Sequence, residues 1–142
     1  VRRAVAGAAA ILIAPSNPVA SIGPMLAIPP LRSLLRRAAA PILAVSPIVG
    51  GRALKGPSDK FLRWAGVEVS PAGVAAWYRA TLGRLDGLLL DHADAGQREA
   101  LEGAGTRVRA AATVMASPED KRRVAREALA LLEEVGCAAH PF

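Results

Sequence analysis

The chain has 142 residues, with 18 Lys and Arg against 12 Asp and Glu, a net charge of +6 with His neutral. That length allows one modest domain, and because 31 of the apolar residues are alanine, the core it can bury is thin. The share of large aliphatics excludes disorder, collagen and coiled coil, and a single Cys137 excludes an intramolecular disulfide framework or a cysteine-rich zinc site, in keeping with a reducing cytoplasm.

The charge is uneven. Residues 1–60 hold eight basic groups against Asp59, a net +7, whereas residues 61–142 hold ten against eleven. A basic excess invites a nucleic-acid reading, but these residues alternate with Gly, Pro and Ser, never run as a block, and have few aromatics among them. A small-molecule phosphate is the better partner.

The chain begins at Val1 instead of Met, which fits a non-standard start or a chain cut from something longer. Arg2-Arg3 ahead of a short apolar run has the outline of an export signal. The preferred reading places a fully buried strand of a parallel sheet at 10–14 (AILIA), because two covered faces call for consecutive apolar residues. No stretch reaches the roughly 18 apolar residues that a membrane-spanning helix needs. The loop 15–24 follows, then a helix over 26–39 with Leu31, Leu34 and Leu35 on one side and Arg32, Arg36 and Arg37 on another. PILAVS (41–46) reads as a second buried strand running into a glycine-rich loop at 47–58, a short helix from Asp59 to Trp64, and a third strand at 67–70.

Pro71 opens a helix through Leu82 with Ser70 as its cap. LDGLLLD (85–91) is an apolar strand ended by a polar loop, residues 96–104 a helix stopped by Gly105, and 106–112 a strand. The last helix has Ser117 as N-cap, Pro118 and Glu119 in its first turn and Asp120 at N3. Strands alternating with helices predict an α/β layered fold with a largely parallel sheet. Ligands of such folds sit beyond the carboxyl ends of the strands, so loops 15–24, 47–58 and 91–95 are where chemistry is expected.

In the first loop, Ser16, Asn17, Ser21 and the backbone around Ile22 and Gly23 offer phosphate donors at the mouth of a helix, or else form an ordinary strand-to-helix turn. The second loop favours the phosphate reading, because Gly50, Gly51, Arg52, Lys55 and Gly56 join two cations to accessible backbone. Neither loop has the spelling of a Walker A or GxGxxG motif. Asp91, His92 and Asp94 are read as a polar loop with a helix cap in preference to a metal or acid/base cluster. Trp64, Trp77 and Tyr78 are read as packing residues, Cys137 as an unpartnered thiol and His140 as part of a frayed tail.

The spellings APSNPxxSIGP (14–24) and SPIVGGxALKGP (46–57), in this order and each after a strand, resemble the 2-phospho-L-lactate transferases of coenzyme F-420 biosynthesis. The likeness is strongest from Ile11 to Tyr78 and continues more loosely through LDGLLLDHAD and the last helix. It implies a Rossmann-like three-layer fold of which this chain is the C-terminal portion, since members of the family are roughly twice as long. It also implies a cytoplasmic enzyme that moves a phospholactyl or phosphoenolpyruvyl group from a guanylylated donor to the ribityl hydroxyl of a deazaflavin, releasing GMP with the help of Mg²⁺. By resemblance, Ser16, Asn17, Ser21 and Gly23 contact the nucleotide diphosphate and Gly50, Gly51 and Lys55 complete the cradle. The Mg²⁺ ligands are expected outside this chain, the full-length protein as a homodimer without nucleic-acid or membrane partners, and the fragment alone as inactive. The competing reading is a nucleotide-sugar-binding regulator of the related gluconeogenesis-factor family.

Overall fold

A computed structural model describes residues 1–136, so the readings of Cys137 and His140 fall outside the described residues. Helix α1 (Arg2–Ala6) leads into β1 (Ile11–Ile13). A π-helical turn over Pro18–Ile22, α2 (Gly23–Leu26) and α3 (Pro29–Arg36) then carry the chain to β2 (Ile42–Val45). A two-stranded hairpin, β3 (Ile48–Val49) and β4 (Arg52–Ala53), precedes α4 (Ser58–Trp64) and α5 (Pro71–Leu82). The rest alternates: β5 (Gly87–Asp91), a 3-10 turn over His92–Gln97, α6 (Arg98–Gly103), β6 (Arg107–Ala111) and α7 (Pro118–Glu134).

The main sheet runs β1-β2-β5-β6 with every pair parallel, each strand added beside its predecessor after a helical crossover. Successive residues of a strand face opposite sides, and here the sides are covered unequally. Ile42, Ala44, Leu88, Leu90 and Val108 meet α2 and α4–α6 through Leu26, Leu62, Val74, Tyr78, Leu82 and Leu101. On the other side, Leu43, Val45, Leu89 and Ala111 meet Val124, Ala128 and Leu131 of α7. This is the helix-sheet-helix layering of a Rossmann-like α/β fold. Among the described residues no helix is long and apolar enough to cross a membrane.

The caps follow the local chemistry. The Ser70 hydroxyl accepts from the Gly73 amide at 2.9 Å, and Gly83 ends α5 in the left-handed region at φ 81°. At α7 Ser117 and Asp120 form a reciprocal capping box.

Several expectations are corrected. β1 is an edge strand and is not fully buried: Leu12, in register with Leu43 on the α7 side, is 46% exposed because α7 packs over β2, β5 and β6. The helix expected at 26–39 begins only at Pro29, since a residue before proline is pushed out of the helical region and Ile28 is extended (φ −76°, ψ 107°). No strand forms at 67–70, where the Val67 amide closes α4 onto the Leu62 carbonyl and the Ser70 amide turns back to Glu68. The glycine-rich segment 47–58 contains the β3–β4 hairpin, and the polar loop after β5 is a 3-10 turn. Tyr78 is buried and meets Trp77 edge-on, with ring centroids 5.2 Å apart, but Trp64 is 82% exposed and packs little.

Candidate functional site

A cleft of about 790 Å³ opens at the carboxyl ends of the strands, a size suited to one small-molecule ligand. One wall is the segment after β1, with Pro15, Ser16, Asn17, Ala20 and Ser21. Asn17 shapes it: its side-chain oxygen accepts from the amides of Val19 and Ala20, both at 3.0 Å, and so caps the π-helical turn. Gly23 sits just behind, where a Cβ would stand 3.2 Å from the Pro18 carbonyl oxygen and 3.7 Å from the Trp77 indole.

The second wall is built by the hairpin and the loop after it. Gly50 and Gly51 occupy its two-residue turn with φ of 56° and 74°, the positive values that a tight hairpin turn requires and that only glycine adopts freely. The Gly50 amide donates to an Asp94 carboxylate oxygen at 2.9 Å, so this donor is already engaged. Beyond β4 the chain presents Leu54 and Lys55 to the cleft, with Phe61 of α4 beside them. Ser46 follows β2 at the floor, its hydroxyl accepting from the Ile48 amide and donating to the Ile48 carbonyl.

The third wall is the segment between β6 and α7. Asp91 reaches across from the end of β5 and accepts from the Thr113 amide (2.8 Å) and hydroxyl (3.1 Å) with one oxygen, and from the Ala93 amide with the other. Partial burial pushes this carboxyl upward, but the two amides, the Thr113 hydroxyl and nearby His92 outweigh that and hold it below the usual carboxylate range. Arg123 of α7 fastens the same wall by donating to the carbonyls of Ala112 and Val114.

Ser16, Asn17, Ser21 and Lys55 are therefore brought together around one cleft, while Gly23 lies behind its first wall and Gly50 and Gly51 form the hairpin turn. Sequence reasoning did not single out Ser46, Ser58, Thr113 and Lys121, which also line it. The rule that ligands sit at strand carboxyl ends reaches Ser46 and Thr113, since each follows a strand by one or two residues. Asp91 and Asp94 act as braces under two of the walls. Among the described residues no three His, Cys, Asp or Glu side chains gather as metal ligands, and both carboxylates are engaged with backbone amides. These residues do not fit a magnesium site on their own.

A second hollow of about 470 Å³ lies at the opposite end of the sheet, around Asp86, Glu102, Arg107 and Glu134. Its carboxylates disfavour an anionic ligand. The upper cleft, with Lys55 and Lys121 unopposed by any lining carboxylate, favours one.

Residues 1–132 match the family model described as 2-phospho-L-lactate transferase CofD. Similar relatives include the phosphoenolpyruvate transferases of Streptomyces griseus (44% identical over 135 residues, 95% of this chain and 42% of the relative) and Mycolicibacterium smegmatis (40% over 130 residues, 90% and 38%). The 2-phospho-L-lactate transferase of Methanosarcina acetivorans is 39% identical over 125 residues, 88% of this chain and 39% of its own length. The chain thus spans about two fifths of the curated relatives it matches. With a parallel sheet and a cationic cleft at its carboxyl end, this chain belongs to the 2-phospho-L-lactate transferase family.

Proposed function

We propose that this chain is part of a cytoplasmic transferase of coenzyme F-420 biosynthesis. It moves a phospholactyl or phosphoenolpyruvyl group from a guanosine-diphosphate-activated donor to the ribityl hydroxyl of 7,8-didemethyl-8-hydroxy-5-deazariboflavin. The hydroxyl oxygen forms a bond to the donor phosphorus, the bridging P–O bond breaks, GMP departs and the hydroxyl gives up its proton. Displacement at a diphosphate asks mainly for in-line placement and for neutralised charge. The observation that carries the reading is the cleft itself: Ser16, Asn17 and Ser21 on one wall and Lys55 on another line it together, at the carboxyl end of a parallel sheet. Leu54 and Phe61 add an apolar surface suited to a flat ring.

The ligands of a magnesium ion come from outside the described residues. The free edge of β1 supports this, because a further parallel strand paired there would deliver its own loop beside Ser16. The whole protein acts as a homodimer, and residues 1–142 alone carry out no transfer. Calorimetry on the protein at the length its gene encodes tests the reading: GDP and GMP bind in preference to a UDP-sugar. The opposite preference transfers the assignment to a nucleotide-sugar-binding regulator. Formation of deazaflavin phospholactate by residues 1–142 with donor and Mg²⁺ refutes the claim that the segment is inactive alone.

A further inference from the structure

The first two turns of α7 contain three consecutive basic residues, Lys121, Arg122 and Arg123, that are treated differently by their surroundings. Arg122 pairs with Glu119 at 3.2 Å, and Arg123 pairs with Asp120 at 2.5 Å while bonding the carbonyls of Ala112 and Val114. The Lys121 amide donates to the Ser117 carbonyl at 3.3 Å, but its side chain makes no hydrogen bond or ion pair among the described residues and lines the cleft. Lys55, from the hairpin side, is likewise unpaired and lines the same cleft. Most donors of the helix end are already taken: the Ser117 hydroxyl accepts from the Asp120 amide, the Asp120 carboxylate accepts from the amides of Ala116 and Ser117, and the Lys121 amide donates to the Ser117 carbonyl. On this wall Lys121 is the cation whose side chain is unpaired among the described residues, and so the strongest grip it offers an anion.

Resting on the reading of the cleft as a nucleoside-diphosphate site, we infer that Lys121 is a binding residue that grips the diphosphate from the α7 side of the cleft that Lys55 also lines. Two ammonium groups lining one cleft from different elements suit a ligand with two linked phosphates, since each phosphate can meet its own cation. A monophosphate can satisfy only one of them. Lys121 accordingly sets the preference for a nucleoside diphosphate over a monophosphate.

The test is calorimetry with GDP and with GMP in magnesium-free buffer, on the protein at the length its gene encodes and with circular dichroism of every variant. Lys121→Ala is expected to weaken GDP about tenfold, the scale of one lost hydrogen bond to a charged group, and to leave GMP within about twofold. Lys121→Arg restores most of the loss, and Lys60→Ala, an exposed residue of α4 outside the cleft, changes neither. Unchanged GDP binding by Lys121→Ala beside weakened binding by Lys55→Ala overturns the inference and leaves the transferase reading standing. Equal losses for GDP and GMP overturn it as well. A folded wild-type protein that binds neither nucleotide removes the reading and the inference together.

Discussion

Gly73 is where the packing that supports the cleft tolerates least. It lies at the third position of α5, and its amide donates to the capping hydroxyl of Ser70. A Cβ built there would stand 2.1 Å from the Glu68 carbonyl oxygen and 2.8 Å from its carbon, both rigid backbone. Relief needs a shift of about an ångström, which pulls the first turn of α5 off the 67–70 segment and stretches the Ser70 cap. Losing the cap costs about 1 kcal/mol, and forcing extra volume into a packed site adds about 1–3 kcal/mol, so Gly73→Ala should destabilise by about 2–4 kcal/mol. The control is Gly103→Ala in α6, where no atom lies within 4 Å of the new Cβ and the substitution should stabilise by up to about 1 kcal/mol. Urea unfolding followed by circular dichroism measures both. A Gly73→Ala loss below about 0.5 kcal/mol, within the range of an ordinary surface change, refutes the argument.

The opposite layer gives a second prediction. Leu131 is fully buried against Leu43 and Leu89, so Leu131→Ala should cost about 2–5 kcal/mol in the same assay, and the half-exposed Leu129→Ala well under 1 kcal/mol; equal losses would mean that α7 does not cover the sheet as described. Asp94→Ala removes the acceptor of the Gly50 amide, and hydrogen exchange of that amide should quicken about tenfold or more, the equivalent of a lost charge-assisted bond; unaltered exchange breaks the link between the 3-10 turn and the hairpin. Asp91 has a folded pKa below its unfolded value near 3.9, so its contribution is complete above that value and disappears as pH falls through the folded one. The acid-side loss of stability below about pH 4 should therefore be shallower in Asp91→Asn, with the remainder due in part to Asp120, held low by Arg123 and the amides of Ala116 and Ser117. Superimposable acid limbs in the two proteins would remove Asp91 from that account.

The fold was legible wherever local chemistry decides it. Ser70-Pro71 and Ser117-Pro118 announce helices whose caps form as the residues imply, and the apolar runs at β2 and β5 become the buried central strands. What the sequence concealed depends on neighbours. AILIA has the same apolar spelling as a central strand, but burial of Leu12 requires a layer that α7 does not extend over β1. The apolar spacing over 26–39 suits one helix, but Pro29 holds Ile28 out of the helical region and divides the segment there.

For the site, what stayed hidden was pairing over long separations. Asp91 and Asp94 share a short polar stretch with His92 and invite thoughts of catalysis, yet their partners, Thr113 and Gly50, lie 22 and 44 residues away. Burial explains why such pairs form, since a side chain at 6% exposure such as Asp94 has lost most of its water and needs a hydrogen-bond donor from the protein. The charge count misled in a similar way. Residues 61–142 sum to nearly neutral, which concealed Lys121, because Glu119 and Asp120 are spent on Arg122 and Arg123 and leave its charge facing the cleft. A net charge adds groups that the helix separates: the i,i+3 pairs Glu119–Arg122 and Asp120–Arg123 cancel on one side of the first two turns, and Lys121, on the other side of the wheel, carries the field that an anionic ligand meets.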